Sequence, residues 1–266
     1  MNISITDIKK AEIFTSIFKD IKLFTNDINI MFEPDRLYIQ SMDSAHVMLF
    51  EIILPKKWFN LYQPVSKTGS ITIGINSNIL FRILNTREKN QTIEIVYDSD
   101  DSLSIEFNSD VRGEFTKKFV VPLIDINSDM LAIPEIDDTI EIIIDSNIFA
   151  KSINQLTDFG DTLGFECNED KMILSSKTDE LSKMSIDVLT DDLESFSILE
   201  GVELKLNFSL KYLQNICKFC KISKNITLNV NPNHPMKLVY LLETDGENTG
   251  CKMTFYLAPK MDDEEE

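Results

Sequence analysis

The hydrophobic period of this chain switches between helical and strand spacing, and the same order of elements occurs in each half. Ile13, Phe14, Ile17, Phe18 and Ile21 recur at the spacing of one helical face, with Lys9, Lys10, Thr15, Ser16, Lys19 and Lys22 off it. A second helix is expected from about Ser77 to Thr86, with Ile79, Leu80, Ile83 and Leu84 inward. Leu103, Ile105 and Phe107 then alternate with Ser102, Ser104, Glu106 and Asn108, the period-2 signature of a half-buried strand.

The second half runs through the same plan. A strand is expected at Thr139 to Ile144, followed by Asp145 or Ser146 as a helix cap ahead of Ile148, Phe149, Ile153 and Leu156. Strands are expected around Leu163 to Cys167, Met172 to Ser176 and Lys183 to Leu189. Leu204, Leu206 and Phe208 alternate into a helix from about Ser209 to Lys221, and Ile226, Leu228 and Val230 open the last strands. The order of elements repeats while the residues do not, so the reading is two similarly folded α+β domains and not a solenoid of short repeats.

Between the halves lies FVVPLIDINSDMLAIPEIDD, Phe119 to Asp138, where Pro122 and Pro134 favour extended backbone and stop any helix running through. It is too apolar for a merely solvated linker. Laid along the surface, it leaves Leu131 and Ile133 available to a partner, although packing on their own domain is the competing reading.

A formal charge of -18 argues against wholesale wrapping of nucleic acid, because phosphate contacts need Lys and Arg, but it permits a local basic surface. The acidic run Asp262 to Glu266 reads as a solvated tail. The N-terminal MNISITDIKKAEIF has no apolar core of a signal peptide, and no stretch approaches a membrane span, so a soluble intracellular protein with no membrane partner is expected. Cys167, Cys217, Cys220 and Cys251 do not suggest a disulfide framework.

Enzymatic activity and a cofactor are not expected. The two histidines, His46 and His234, are not paired with a nucleophile, and eight glycines include no phosphate-cradling loop. Cys217 and Cys220 form a C-x-x-C inside an expected helix with no second pair at zinc spacing, so no metal site is assigned. Asp98, Asp100 and Asp101 read as a hairpin turn sooner than a two-metal centre.

Three uncommon strings occur in order along the chain: QSMDSAHVMLF at Gln40 to Phe50, LAIPE at Leu131 to Glu135, and MTFYLAPKMDDEEE at Met253 to Glu266. Together they resemble the proliferating cell nuclear antigen family of DNA sliding clamps. The resemblance implies two clamp domains at 1–118 and 139–258, an interdomain connector at 119–138 and an acidic tail at 259–266. It implies a homotrimeric ring with helices lining a channel and antiparallel sheets outside, acting as a processivity factor for DNA polymerase.

Carried over by position, a partner-peptide pocket comprises Met42, His46, Val47, Leu49, Leu131, Ile133, Pro134, Pro235, Tyr256, Leu257, Ala258, Pro259 and Lys260. It would receive PIP-box-like peptides of the polymerase, clamp loader, flap nuclease and ligase. The DNA-channel residues implied are Lys9, Lys10, Lys19, Lys22, Arg82, Arg87, Lys151, Lys211, Lys218 and Lys221, ten of 26 basic residues. They would contact the phosphates of double-stranded DNA without reading sequence. Glu12, Asn85, Asn154 and Asp158 stand where many relatives are basic, which implies a lower channel charge.

Ring closure implies pairing of edge strands Phe115 to Val121 and Leu181 to Val188, with Phe119 and Val121 facing Leu181, Met184 and Ile186. A checkpoint-type heterotrimer subunit and a monomeric DNA accessory factor are the alternatives. Glu169 occupies the position of a ubiquitin-accepting lysine in many relatives, with Lys171 nearby. The Ile-, Asn-, Lys- and Asp-rich composition suits a protist or a large DNA virus, implying the nucleus or a viral replication compartment.

Overall fold

The computed structural model describes residues 1–64, 69–97, 102–127, 130–134, 139–178, 182–242 and 250–261. Asp98, Asp100 and Asp101, Glu135, Leu181 and the acidic run Asp262 to Glu266 lie outside the described residues. Two compact units divide the chain: Met1–Ser44 with Phe50–Leu131 and Leu242–Met253, and Ala45–Leu49 with Ala132–Leu241 and Thr254–Glu266.

The first half runs β1 (Asn2–Ile5), α1 (Ile8–Asp20), β2 (Asp27–Phe32), β3 (Arg36–Met42), β4 (Met48–Pro55), β5 (Leu61–Gln63), β6 (Ile71–Asn76), α2 (Ser77–Leu84), β7 (Thr92–Val96), β8 (Ser102–Asn108) and β9 (Lys117–Pro122). The second runs β10 (Ile140–Asp145), α3 (Ser146–Leu156), β11 (Thr162–Cys167), β12 (Lys171–Lys177), β13 (Lys183–Leu189), β14 (Ser195–Ile198), β15 (Leu204–Ser209), α4 (Leu210–Ile216), β16 (Asn225–Val230), β17 (Met236–Leu241) and β18 (Lys252–Leu257). The order of types is identical in the two halves. So is the pairing: β5-β1-β7-β8-β9 and β4-β3-β2-β6 in the first are matched by β14-β10-β16-β17-β18 and β13-β12-β11-β15 in the second. The described pairings are antiparallel, which accords with the α+β expectation.

Each helix follows a strand, and α1, α2 and α3 start on a side-chain cap, whereas α4 follows Ser209 without one. Asp7 accepts from the Lys10 amide at 3.0 Å, Asn76 from Asn78 and Ile79, and Asp145 from Asn147 and Ile148 at 2.9 and 3.0 Å. These carboxylates and amides satisfy N–H groups that no helical carbonyl can reach. Helix α1 buries Ala11, Phe14, Ile17 and Phe18, and the Phe14 and Phe18 rings lie 4.3 Å apart. Ala11 takes the inward place expected of Ile13, which is only half-buried. In α3 the expected inward Ile148 is 58% exposed, because the buried face is the one carrying Ser146, Phe149, Ala150, Ile153 and Leu156, and Ile148 falls off it.

Two expected helix ends are corrected. Helix α2 stops at Leu84, where the Thr86 amide and hydroxyl both donate to the Ile83 carbonyl in a tight i to i+3 turn. The helix expected from Ser209 to Lys221 is α-helical only over Leu210–Ile216 and tightens to a 3-10 turn over Cys217–Lys221. Buried Cys167 and Cys251 have thiol pKa values pushed up to about 11 and about 12 by desolvation, and Cys217 is shifted upward by the same cause. The thiolate, the reactive form, is thereby suppressed near neutral pH. All four cysteines are free, and no cluster of metal-binding residues occurs among the described residues.

Candidate functional site

Ion pairing divides the basic side chains into two groups. Arg36, Lys117, Lys118, Lys171, Lys205, Lys224 and Lys260, all on strands or loops, are ion-paired with Glu33, Glu88, Glu106, Asp187, Glu166, Glu194 and Asp161 at 2.5 to 3.5 Å. Arg82 on α2, Lys151 on α3, Lys211 on α4 and Lys218 and Lys221 on the 3-10 turn are exposed, and among the described residues they enter no ion pair. In a chain with 44 acidic residues these helical cations stand unneutralised among the described residues, as do Lys177, Lys183, Lys237 and Lys252 on strands, and unneutralised cations on a helix can pair with phosphate.

Within the first unit, α1 packs on α2. Lys9 is exposed and Lys10 half-buried, and both sit in the first turn of α1, where positive charge opposes the helix dipole. Lys22 Nζ lies 3.0 Å from the centroid of the Phe81 ring and Lys19 Nζ 6.0 Å, so an aromatic side chain on α2 gathers two lysines of the neighbouring segment. Arg87 departs from the expected surface: it is half-buried and donates to the Gln91 and Lys89 carbonyls at 2.8 and 3.2 Å. Desolvation lowers its pKa, with Glu12 and Glu114 opposing that shift. Arg87 therefore braces the turn after α2.

In the second unit, α3 packs on α4 and the 3-10 turn, and Gln214 Nε2 donates to Asn154 Oδ1 at 3.2 Å. Glu12, Asn85, Asn154 and Asp158 are all exposed on or just beyond their helices.

The segments assigned to partner binding are held by polar anchors. In the first unit, Gly74 admits the connector. The Ile124 amide donates to the Gly74 carbonyl at 3.0 Å, and a Cβ on Gly74 would lie 2.2 Å from Ile124 O. Gly74→Ala is expected to cost about 1–3 kcal/mol by forcing the connector off β6, checked by denaturant melts and proteolysis between Ile124 and Leu131. Further along, Asn29 Nδ2 donates to the Ile126 carbonyl, and Gln40 is bonded to both backbone groups of Leu131. Met130 and Leu131 are 53% and 46% exposed, and Ile133 is half-buried with Pro134 exposed. Met42, at the end of β3, is half-buried.

In the second unit, His46 is exposed in a turn and holds φ 58°, a left-handed conformation uncommon outside glycine. Val47 and Leu49 are half-buried, and the Val47 carbonyl accepts from the Ala258 amide at 2.9 Å. Tyr256, Ala258 and Pro259 are half-buried and Pro235 is exposed, but Leu257 is fully buried and turns its side chain into the core, away from any open surface. Lys260 is a latch: its amide donates to Asn207 O at 2.7 Å and its ammonium to Thr162 Oγ1 at 2.5 Å, beside Asp161. The Thr162 hydrogen bond and the Lys260 charge hold the Asp161 carboxyl below its usual pKa.

Edge strands account for the remaining assigned residues. The isolated bridges Gly74↔Ile124 and Asn207↔Lys260 cover β6 and β15, and β5 and β14 have only three and four residues. Strands β9 and β13 stand at the ends of their sheets with six and seven residues. On β13, Met184 and Ile186 are half-buried. On β9 the expected face is corrected: Val121 pairs with Leu103 and is fully buried, and Phe119 pairs with Ile105 and lies 5.5 Å from the Phe107 ring. Val120 is 72% exposed, and Phe115, ahead of the strand, is 75% exposed. The side chains missed by sequence reasoning, Gln40, Phe81 and Val120, carry no local motif beyond an ordinary alternation.

A repeated α+β half, cationic helices and open edge strands define a two-domain DNA sliding clamp. The chain belongs to the proliferating cell nuclear antigen family: residues 5–131 match the model "Proliferating cell nuclear antigen, N-terminal domain" and residues 132–260 its C-terminal counterpart. Among relatives, it is 28% identical over 256 residues to a probable DNA polymerase sliding clamp 2 of Paramecium bursaria Chlorella virus 1, covering 96% of this chain and 89% of that one. It is 26% identical to the proliferating cell nuclear antigen of Chaetomium thermophilum, covering 97% and 98%, and 27% identical to that of Caenorhabditis elegans, covering 96% of each. The fold matches a crystal structure of a PCNA2-PCNA3 complex from Sulfolobus tokodaii with a TM-score of 0.84, at 22% identity over 98% of this chain and 99% of that one. The chain is a clamp-type processivity factor of DNA replication, and clamps of this family are not enzymes. No helix among the described residues is long and apolar enough to cross a membrane.

Proposed function

We propose that three copies of this chain close into a ring that encircles duplex DNA, tethers a polymerase and recruits replication and repair proteins through PIP-box-like peptides. The observation that carries this reading is the set of unpaired basic side chains on the helices of a chain at -18. Such a surface holds phosphate loosely and without regard to sequence, which suits a protein that slides. Strands β9 and β13 supply the two unlike edges that a head-to-tail contact needs, and rotation closes that contact into a ring. Residues 1–118 and 139–258 serve as the domains, with 119–138 as connector and 259–266 as tail.

Partner peptides are received by the exposed connector residues with the turn at His46 and the segment Tyr256 to Pro259. Clamp loader, polymerase, flap nuclease and ligase are the partners of this reading, in the nucleus or in a viral replication compartment. A heterotrimeric reading draws on the fold neighbour, a complex of PCNA2 with PCNA3. Light scattering on the purified chain separates the two: three copies at micromolar concentration support the homotrimer, and a persistent monomer overturns it. Replacing Leu131 and Ile133 together with Ala is expected to weaken a Q-x-x-aliphatic-x-x-aromatic-aromatic peptide by about 2 kcal/mol or more, as loss of hot-spot side chains does. Calorimetry checks this, and unchanged affinity would move the site elsewhere.

A further inference from the structure

We propose that Gln40 is a positioning residue that presets the connector for its partner peptide, an inference that rests on the peptide-binding reading above. Its carboxamide works as a short piece of β-ladder. Nε2 donates to the Leu131 carbonyl at 2.9 Å and Oε1 accepts from the Leu131 amide at 2.7 Å, across 91 positions of sequence. Both backbone groups of Leu131 are thereby satisfied by one side chain, while the Leu131 side chain stays 46% exposed.

The amide is itself oriented. Nε2 also donates to the Tyr38 hydroxyl at 3.2 Å, that hydroxyl donates to the Glu51 carboxylate, and the Arg36 guanidinium lies 4.9 Å from the Tyr38 ring centroid. With the amide turned over, a carbonyl would face the Leu131 carbonyl and an N–H the Leu131 amide, so only one orientation fits. Upstream, the connector is anchored at Ile124 and Ile126; Gln40 extends that anchoring to the apolar residues a peptide would touch. A connector ordered in advance leaves less conformational entropy to be lost when the peptide binds.

Two substitutions test this. Gln40→Leu removes both hydrogen bonds. Gln40→Glu keeps an acceptor for the Leu131 amide but sets a carboxylate against the Leu131 carbonyl, near Glu51, until protonation restores a donor. Peptide affinity of Gln40→Leu, by calorimetry, is expected to fall about tenfold relative to wild type at every pH, the effect of removing one anchoring side chain. Gln40→Glu is expected to be as weak at neutral pH and to recover toward wild type as the pH approaches the carboxyl range of about 4 to 5. Amide exchange at Leu131 should accelerate in both variants at neutral pH with the melting temperature little changed. Wild-type affinity in Gln40→Leu, or no recovery of Gln40→Glu on acidification, overturns the positioning role alone. Failure of wild type to bind the peptide overturns the peptide-binding reading on which it rests.

Discussion

Val121→Asp is expected to unfold the N-terminal half of the chain, whereas Val120→Asp, one residue earlier, is expected to leave it folded and separate the subunits. Val121 is fully buried opposite Leu103, so an aspartate there places an unpaired carboxylate in an apolar core at a cost on the order of 4 kcal/mol or more. Val120 is 72% exposed on the outer face of an edge strand, and a carboxylate there stays hydrated in the single chain. Only a partner strand laid along β9 would desolvate it. Thermal melts should therefore show a large drop for Val121→Asp and little change for Val120→Asp. Light scattering should show the smaller mass for Val120→Asp. A Val120→Asp protein that remains trimeric would place the subunit contact away from this face of β9.

That contrast shows where the sequence stops being legible. On α1 the 3.6-residue period separates Phe14, Ile17 and Phe18 from the lysines, because polar residues interrupt the apolar ones at a spacing only a helix satisfies. Along Phe119-Val120-Val121 every residue is apolar, so alternation cannot say which face is inward; the register Ile105↔Phe119 and Leu103↔Val121 decides it. Arg87 reads as another cation at a helix end, and its carbonyl partners emerge only once the turn to Gln91 is formed. Leu257 and Lys260 read as surface from their place in a recognisable string, yet one completes the core and the other is tied to Thr162, 98 residues away. Gln40 lies inside another such string, but its partner is 91 residues distant, and no local period encodes that. Caps, strand alternation and the repeated order of elements are local and therefore readable; single side chains that join distant segments are not.

Replacing Lys19, Arg82, Lys151 and Lys218 together with Ala is expected to reduce polymerase processivity on primed circular DNA while sparing assembly and peptide binding. Arg82, Lys151 and Lys218 are exposed cations with no acidic partner among the described residues, and Lys19 stands near the Phe81 ring that also holds Lys22. Their removal takes away charge but little buried apolar surface, so the melting temperature should move little. For every phosphate no longer neutralised, the plot of log affinity against log salt should flatten by about 0.9, because fewer counterions are released from the duplex. Lys22 and Phe81 are left in place, so the packing of α1 on α2 is retained and the change reads charge alone. Processivity should fall most at moderate salt, where weak attraction to phosphate still matters, and the difference from wild type should shrink at high salt as screening removes the contribution in both proteins. Equal processivity and equal salt slopes would mean that these side chains do not face DNA. Loss of peptide binding in the same protein would instead indicate a folding defect, since none of the four residues lies in the connector or the turns assigned to partners.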